Sequence, residues 1–426
     1  MSRHLFLLTV TPVQSFIAAA RKTQDLYAGS YILSHLSRTV MDRAVNRYGA
    51  RIMFPNKDIE SLPNRVLAVL ETGEDPEELR KIGQDLEETI RLELAAMAKH
   101  LVQELKLSEK QNKKLLKQLE SYFQIYWIFH PLDGLSYPKA YKKIEAAMGS
   151  IKNVRTFGQL AETGRKCSIT GEHNVLFYRK DKKIIPTACE VPKDTPLKYF
   201  AHGEALGGIA FLKRCADKYF NRDDKDKDSQ HDEDNKHAQQ PKFDSNFPST
   251  SRIALMDTLH ELAQKEPAFA NIVEEDFDEQ DVYRLSNGDS SAQNERAKKV
   301  FEQLKKHRIS FSPYYAVLVF DGDSMGEWLS GARLKPESSL QEFQDYLSGQ
   351  LGKFAKIAKG ILVPPKGKTV YAGGDDFLGF VNLRYLFPVM KELREKFDQM
   401  IDLSQFSNQK LTFSAGVAIA HYTMPL

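Results

Sequence analysis

The chain has 426 residues, 42% of them hydrophobic and 27% charged, with a net charge of +3. That is the composition of a globular protein with room for two to four domains at roughly 150 residues each, and it excludes a collagen, a mucin-like stalk and a wholly disordered chain. The near-balanced charge argues against a histone-like protein, and the three cysteines, Cys167, Cys189 and Cys215, exclude a disulfide scaffold and fit a reducing cytoplasm.

The first element is an apolar strand, His4 to Val10, stopped by Thr11-Pro12. It is too short for an export signal, and no run approaches the roughly 20 apolar residues of a membrane span. A cytoplasmic protein without membrane contact is expected. A helix follows from Phe16, and a second covers about Tyr31 to Tyr48. Arg51 to Phe54 and Arg65 to Leu70 read as strands, parted by a loop holding Pro55 and Pro63. Residues 75–130 read as long amphipathic helix, rich in Glu, Lys and Leu. Residues 151–200 are irregular, with a short strand near Val175 to Tyr178, and Gly203 to Phe220 reads as helix. Residues 221–242 have almost no apolar side chain and predict a disordered insertion. Its His231-Asp232 pair superficially resembles a phosphohydrolase dyad, which needs a rigid site. Residues 249–307 predict two or three helices.

After Pro313 the texture changes. Tyr314 to Phe320 is a central strand by composition. A helix over about Leu340 to Lys359, strands at Lys368 to Ala372 and Phe377 to Val381, a helix over about Leu386 to Ile401 and a strand over about Leu411 to His421 complete the series. The order is that of the split βαβ, ferredoxin-like arrangement.

Two carboxylate clusters punctuate this series. One is Asp321-Gly322-Asp323, at the end of the first strand. The other is Gly373-Gly374-Asp375-Asp376, at the hairpin tip. Either alone would serve as a turn. Together, in this order and each flanked by apolar strand, they predict a metal site. Neighbouring strands would bring Asp321 to Asp375 and Asp376. Hard cations such as Mg²⁺ take one or two carboxylates plus phosphate oxygens, and two such ions can serve both ends of an in-line displacement. Glycines let the backbone approach the phosphates.

These residues carry a resemblance. The second half resembles the catalytic palm of GGDEF-type and class III nucleotide cyclases. The stretches His4–His35, Leu62–Val69, Gly203–Arg214, Phe247–Ala254, Tyr315–Gly331, Tyr371–Phe380 and Phe413–Leu426 resemble, in order, the large polymerase/cyclase-like subunit of type III-B (Cmr) CRISPR effector complexes. The resemblance implies an α+β fold of two ferredoxin-like palm domains with helical and irregular insertions. Its divisions are 1–150, the first palm; 151–220, an irregular module and helix; 221–246, the disordered insertion; 247–312, helical; and 313–426, the catalytic palm. It implies synthesis of cyclic oligoadenylate from ATP, with Mg²⁺ or Mn²⁺ and with guide RNA, target RNA and the other effector subunits as partners. A nucleotide-binding scaffold and a free-standing dinucleotide cyclase are the alternatives.

In roles implied by the resemblance, Asp321 and Asp375 bind metal. Asp376 is a ligand or helps deprotonate the attacking hydroxyl. Asp323 is a further ligand or caps the following helix. Gly322, Gly373 and Gly374 pass close to the triphosphate. Ser15, after the first strand, contacts phosphate or caps a helix. The first palm has no carboxylate at the place of Asp321, so it is expected to position a nucleotide without metal chemistry. Many relatives open with an HD nuclease domain and continue past the last strand into a helical domain. This chain opens at the first palm and stops at Pro425-Leu426, so no DNA cleavage is expected. Relatives also carry a four-cysteine zinc module. Here Thr170 stands where the second cysteine of the pair begun by Cys167 would be. Cys167, His173 and Cys189 are an incomplete set, so zinc is not expected.

Overall fold

A computed structural model describes residues 2–154, 160–181, 183–222, 242–289 and 291–426; His231 and Asp232 lie outside them. The chain divides into two compact units. The first comprises Met1–Ser245, Gly326–Gly349 and Phe406–Asn408; the second comprises Asn246–Met325, Gln350–Gln405 and Gln409–Leu426.

In the first unit the order is β1 (Ser2–Thr11), α1 (Gln14–Ala18), α2 (Thr23–Tyr48), β2 (Arg51–Phe54), β3 (Arg65–Thr72), α3 (Pro76–Glu104), α4 (Glu109–Tyr122), β4 (Gln124–Pro131) and α5 (Tyr137–Asn153). The sheet order is β2-β3-β1-β4, with β1 antiparallel to both neighbours. That is the split βαβ topology. As a central strand β1 buries Leu5, Phe6, Leu7 and Leu8 in succession, on both faces, which is why it reads as an unbroken apolar run.

Residues 75–130 depart from the expected long helix. Two helices end at Tyr122, and Gln124–Pro131 is an edge strand paired along β1. Its Ile125, Tyr126, Trp127, Ile128 and Phe129 favour a strand. They follow the amphipathic helix without a break, so only pairing with β1 separates the two. The rest of this unit includes β5 (Phe177–Tyr178), β6 (Cys189–Glu190), β7 (Ala205–Leu206), α6 (Gly208–Arg214) and α7 (Ala216–Phe220). The three short strands form a small sheet, β6-β5-β7.

The second unit opens with α8 (Thr250–Lys265), α9 (Glu279–Ser286) and α10 (Glu295–Lys306). Then come β8 (Tyr314–Gly322), α11 (Met325–Leu329), α12 (Leu340–Ile361), β9 (Gly367–Ala372), β10 (Asp376–Asn382), α13 (Leu386–Met400) and β11 (Phe413–His421). Of these, most of α11 and the first half of α12 group with the first unit. The sheet order is β11-β8-β10-β9, again split βαβ and antiparallel.

Strand alternation sorts this sheet into two faces. Phe320, Phe377 and Phe413 stack, with centroids 4.9 and 4.5 Å from Phe320. Phe354 of α12 and Phe397 of α13 close over them. The residues next in line, Asp321 and Asp376, therefore point to the opposite face. Helix α8 packs on β8 and β10, and Asn382 donates to the carbonyls of Ile253 and Ala254 at 3.1 and 3.0 Å. Val319 and Asp321 stay exposed. Among the described residues no helix is long and apolar enough to cross a membrane.

Candidate functional site

Asp321 and Asp376 are direct partners on the last rung of the β8–β10 ladder. Two carboxylates facing each other across a sheet repel, so the rung costs stability and calls for a positive counterpart. Asp375 precedes Asp376 in the hairpin turn, which Gly373 closes by donating its N–H to the Asp376 carbonyl at 3.0 Å. It lies over Gly322, where a Cβ would come within 3.3 Å of the Asp375 Cβ and 2.9 Å of Met325 Cγ.

Two glycines are required by geometry. Gly374 has φ +101°, and a Cβ there would approach the Leu351 carbonyl oxygen to 2.7 Å. A Cβ on Gly373 would collide with the Tyr371 hydroxyl and with Asp376 Oδ1. On the facing turn, Ser324 has φ +58°, a sparsely populated backbone conformation for a side-chain-bearing residue.

Burial raises the pKa of Asp376, with the charge of Asp375 adding to it. Burial likewise raises that of Asp375, reinforced by Asp321. Burial and both neighbouring aspartates raise the Tyr371 phenol well above its usual value. The Tyr371 hydroxyl hydrogen-bonds the Asp376 carboxylate, which holds the Asp376 pKa back in part. Three carboxylates so close repel one another, and a divalent cation would relieve that repulsion. Among the described residues no three carboxylate, imidazole or thiolate groups already converge as a ligand cage. A Mg²⁺ site that completes its shell with water and phosphate needs only one or two carboxylates, so this acidic rung fits such an ion.

The other expected residues are placed as follows. Asp323 is held: Thr412 and Ser414 donate hydroxyls to its two oxygens, the latter at 2.6 Å, and its N–H donates to the Thr412 carbonyl at 2.8 Å. It ties the acidic turn to β11. Ser15 is the second residue of α1, so it is inside the helix, and Val13 is the N-cap. Its exposed hydroxyl lies 3.5 Å from that of Tyr122. Cys167 and His173 share one turn through the Cys167 N–H and the His173 carbonyl at 2.8 Å. The His173 Nε2 lies 3.2 Å from the Ser121 hydroxyl, and Cys189 is on β6.

The corresponding rung of the first sheet pairs Thr9 with Arg65. Arg65 forms an ion pair with Glu145, and Lys152 Nζ reaches Thr9 Oγ1 at 3.5 Å. Asn64 Nδ2 donates to Thr9 Oγ1 and to the Val10 carbonyl at 3.1 and 2.8 Å. This end is cationic where the second sheet is acidic. Sequence reasoning missed Arg65, Lys152 and Tyr371. Arg65, Lys152 and the Tyr371 hydroxyl are brought to these places by strand register and tertiary packing, which no local pattern signals.

Residues 5–127 match the N-terminal family of the CRISPR-associated protein Cmr2, and residues 314–426 match the second palm domain of Cas10/Cmr2. Together they cover more than half of the chain. The CRISPR system Cmr subunit Cmr2 of Pyrococcus furiosus is 24% identical, aligned over 99% of this chain and 58% of that protein. The chain thus spans less than two thirds of the length of this relative. Among solved structures, type III-B Cmr-beta in the apo state is similar with a TM-score of 0.67 and 14% identity, covering 99% of this chain and 65% of that one. Cmr-beta bound to cognate target RNA gives 0.66 and 15%, covering 100% and 66%. At such identities these two share the fold.

Proposed function

Because the chain belongs to the Cas10/Cmr2 family, on its type III-B (Cmr) branch, we propose that its second sheet is the catalytic palm of a nucleotidyltransferase making cyclic oligoadenylate from ATP. The observation that supports this most is the last rung of that sheet, Asp321 opposite Asp376 with Asp375 beside them on a glycine turn. In the reaction the 3′-hydroxyl of one ATP attacks the α-phosphate of another. A phosphodiester bond forms, the bond to pyrophosphate breaks, and the hydroxyl proton must go to a base.

Asp376, on the same rung as Asp321, would serve as a further metal ligand or take that proton. Asp321 and Asp375 would hold Mg²⁺ or Mn²⁺, which supplies charge neutralisation of the triphosphate and of the developing alkoxide. Gly373 and Gly374 let the turn close against Tyr371, Asp376 and Leu351, which would bring its backbone up to the triphosphate, and Gly322 keeps the facing turn close. Asp323 orients the turn that carries Asp321 through Thr412 and Ser414. In the first sheet, whose corresponding rung carries no carboxylate, Ser15 and the Thr9–Arg65 pair would orient a second nucleotide. Guide RNA, target RNA and the other Cmr subunits are the proposed partners, with target RNA as the activator, in the cytoplasm.

The test is ATP turnover with Mg²⁺ and Mn²⁺, followed by chromatography and mass spectrometry. The chain is compared with the Asp375→Ala/Asp376→Ala variant, alone and with guide complex plus target RNA. Adenylate oligomers that vanish in the variant support the reading. ATP bound without product under every condition supports a scaffold, and turnover of GTP alone overturns the adenylate assignment.

A further inference from the structure

Two consecutive cations of α6 are buried beneath the turn that follows β1 in the first unit. Lys213 and Arg214 are 1% and 3% exposed. Lys213 Nζ donates to the carbonyl of Phe16 at 2.6 Å and to that of Ala19. Its stem crosses α2 at Gly29, where a Cβ would stand 3.2 Å from Lys213 Cδ. Arg214 donates to both oxygens of Asp25, at 2.6 and 2.9 Å, and through Nη1 to both oxygens of Glu204, at 3.0 and 2.9 Å. Asp25 accepts in turn from the N–H groups of Arg21 and Lys22, at 3.2 and 3.1 Å. Both ends of the segment 16–25 are thus tied to α6. Burial holds the Lys213 ammonium down, to about 8.

Neighbouring cations cost desolvation that an apolar pair would not, and breaking such a cluster is far worse than never building it. What a fully satisfied buried polar network supplies is a single conformation. The segment it fixes follows the C-terminal end of the first strand. In the second sheet that place is the acidic turn after Asp321. Ala18 and Arg21 of this segment are exposed, as are Gln14 and Ser15 just before it, while its polar backbone is held from within.

We propose that Lys213 and Arg214 are positioning residues that hold the Phe16–Asp25 turn in the conformation with which the first sheet orients a nucleoside triphosphate. This rests on the function proposed above. Neither side chain touches the nucleotide; each acts through the turn.

The experiment compares the full chain with Lys213→Met and Lys213→Arg. Amide hydrogen exchange at residues 16–25 reports the turn. Thermal melting reports folding. KM and kcat for Mg²⁺–ATP in the RNA-activated complex report function. In Lys213→Met, exchange in the turn is expected to rise about tenfold and KM about tenfold, with kcat within about twofold, the signature of lost substrate binding without lost chemistry. Lys213→Arg, which keeps the donor, recovers most of the KM. Unchanged exchange in a folded Lys213→Met overturns the clamp. Faster exchange with unchanged KM overturns its role toward the nucleotide. If wild-type protein neither binds nor turns over ATP, the proposed function itself fails, and the exchange data separate that from failure of the clamp. If Lys213→Met does not fold, Gly29→Ala, whose Cβ presses on the Lys213 stem, is expected to show the same split in weaker form, and unchanged exchange there overturns the clamp.

Discussion

At the end of the first sheet Thr9 faces Arg65, and at the corresponding rung of the second Asp321 faces Asp376. The strand order around both rungs is the same, and so is the antiparallel sense of every pair. One rung is held by hydrogen bonds and an ion pair with Glu145. The other holds carboxylates that repel one another, with the Tyr371 hydroxyl against Asp376. The same split βαβ frame thus presents opposite charge on its last rung in the two sheets, and the side chains, not the frame, set that difference.

Asp375→Ala/Asp376→Ala should break the comparison most sharply, lowering ATP turnover by about 10²–10⁴-fold if the acidic rung supplies base and ligands. Single-turnover assays check this, and residual activity near wild type would assign the chemistry elsewhere. On the first sheet's side, Arg214→Leu strands Asp25 and Glu204 as buried unpaired charges, at a cost of about 3–5 kcal/mol in urea or thermal unfolding. Gly374→Ala should cost about 1–3 kcal/mol for the positive φ and the approach to Leu351, with loss of activity beyond what stability explains. Ser15→Ala should raise KM for ATP by about two- to fivefold with kcat unchanged. A fall in kcat instead would make the two sheets alike in function.

The smallest expected effect is on stability against pH. The folded pKa values of Asp375 and Asp376 lie above their unfolded ones. The pair therefore costs nothing at a pH below the ordinary carboxylate range. Its cost grows as pH rises through that range and is complete above the raised folded values. The Asp375→Asn/Asp376→Asn variant should thus melt above wild type at pH 8, and the difference should vanish below about pH 4. Saturating Mg²⁺ should narrow it at pH 8, by stabilising wild type alone. An unchanged melting temperature at pH 8 would mean that the rung is relaxed.

Much of the second sheet was legible in the sequence, because its strands are apolar runs bounded by turns. Phe320 and Phe377 adjoin the acidic residues, so strand alternation implies that the aromatic rings and the carboxylates take opposite faces. Strand β4 was not legible, since Gln124–Pro131 continues an amphipathic helix and becomes a strand only by pairing with β1. Ser15 could be placed after the first strand, but its position inside α1 depends on a helix start set by Val13. Asp323, two positions after Asp321, read as a further ligand or a helix cap. Thr412 and Ser414, about ninety residues on, engage both of its oxygens.

The sequence by itself determined where the acidic residues fall along their strands and which positions needed glycine, because period and turn chemistry are local. Tertiary structure alone decided that Asp321 and Asp376 share a rung and that Thr9 meets Arg65 at the counterpart. It also decided that Lys213 and Arg214 reach the turn after β1. Register, ion pairing and burial join residues tens to hundreds of positions apart, and no local pattern carries that information.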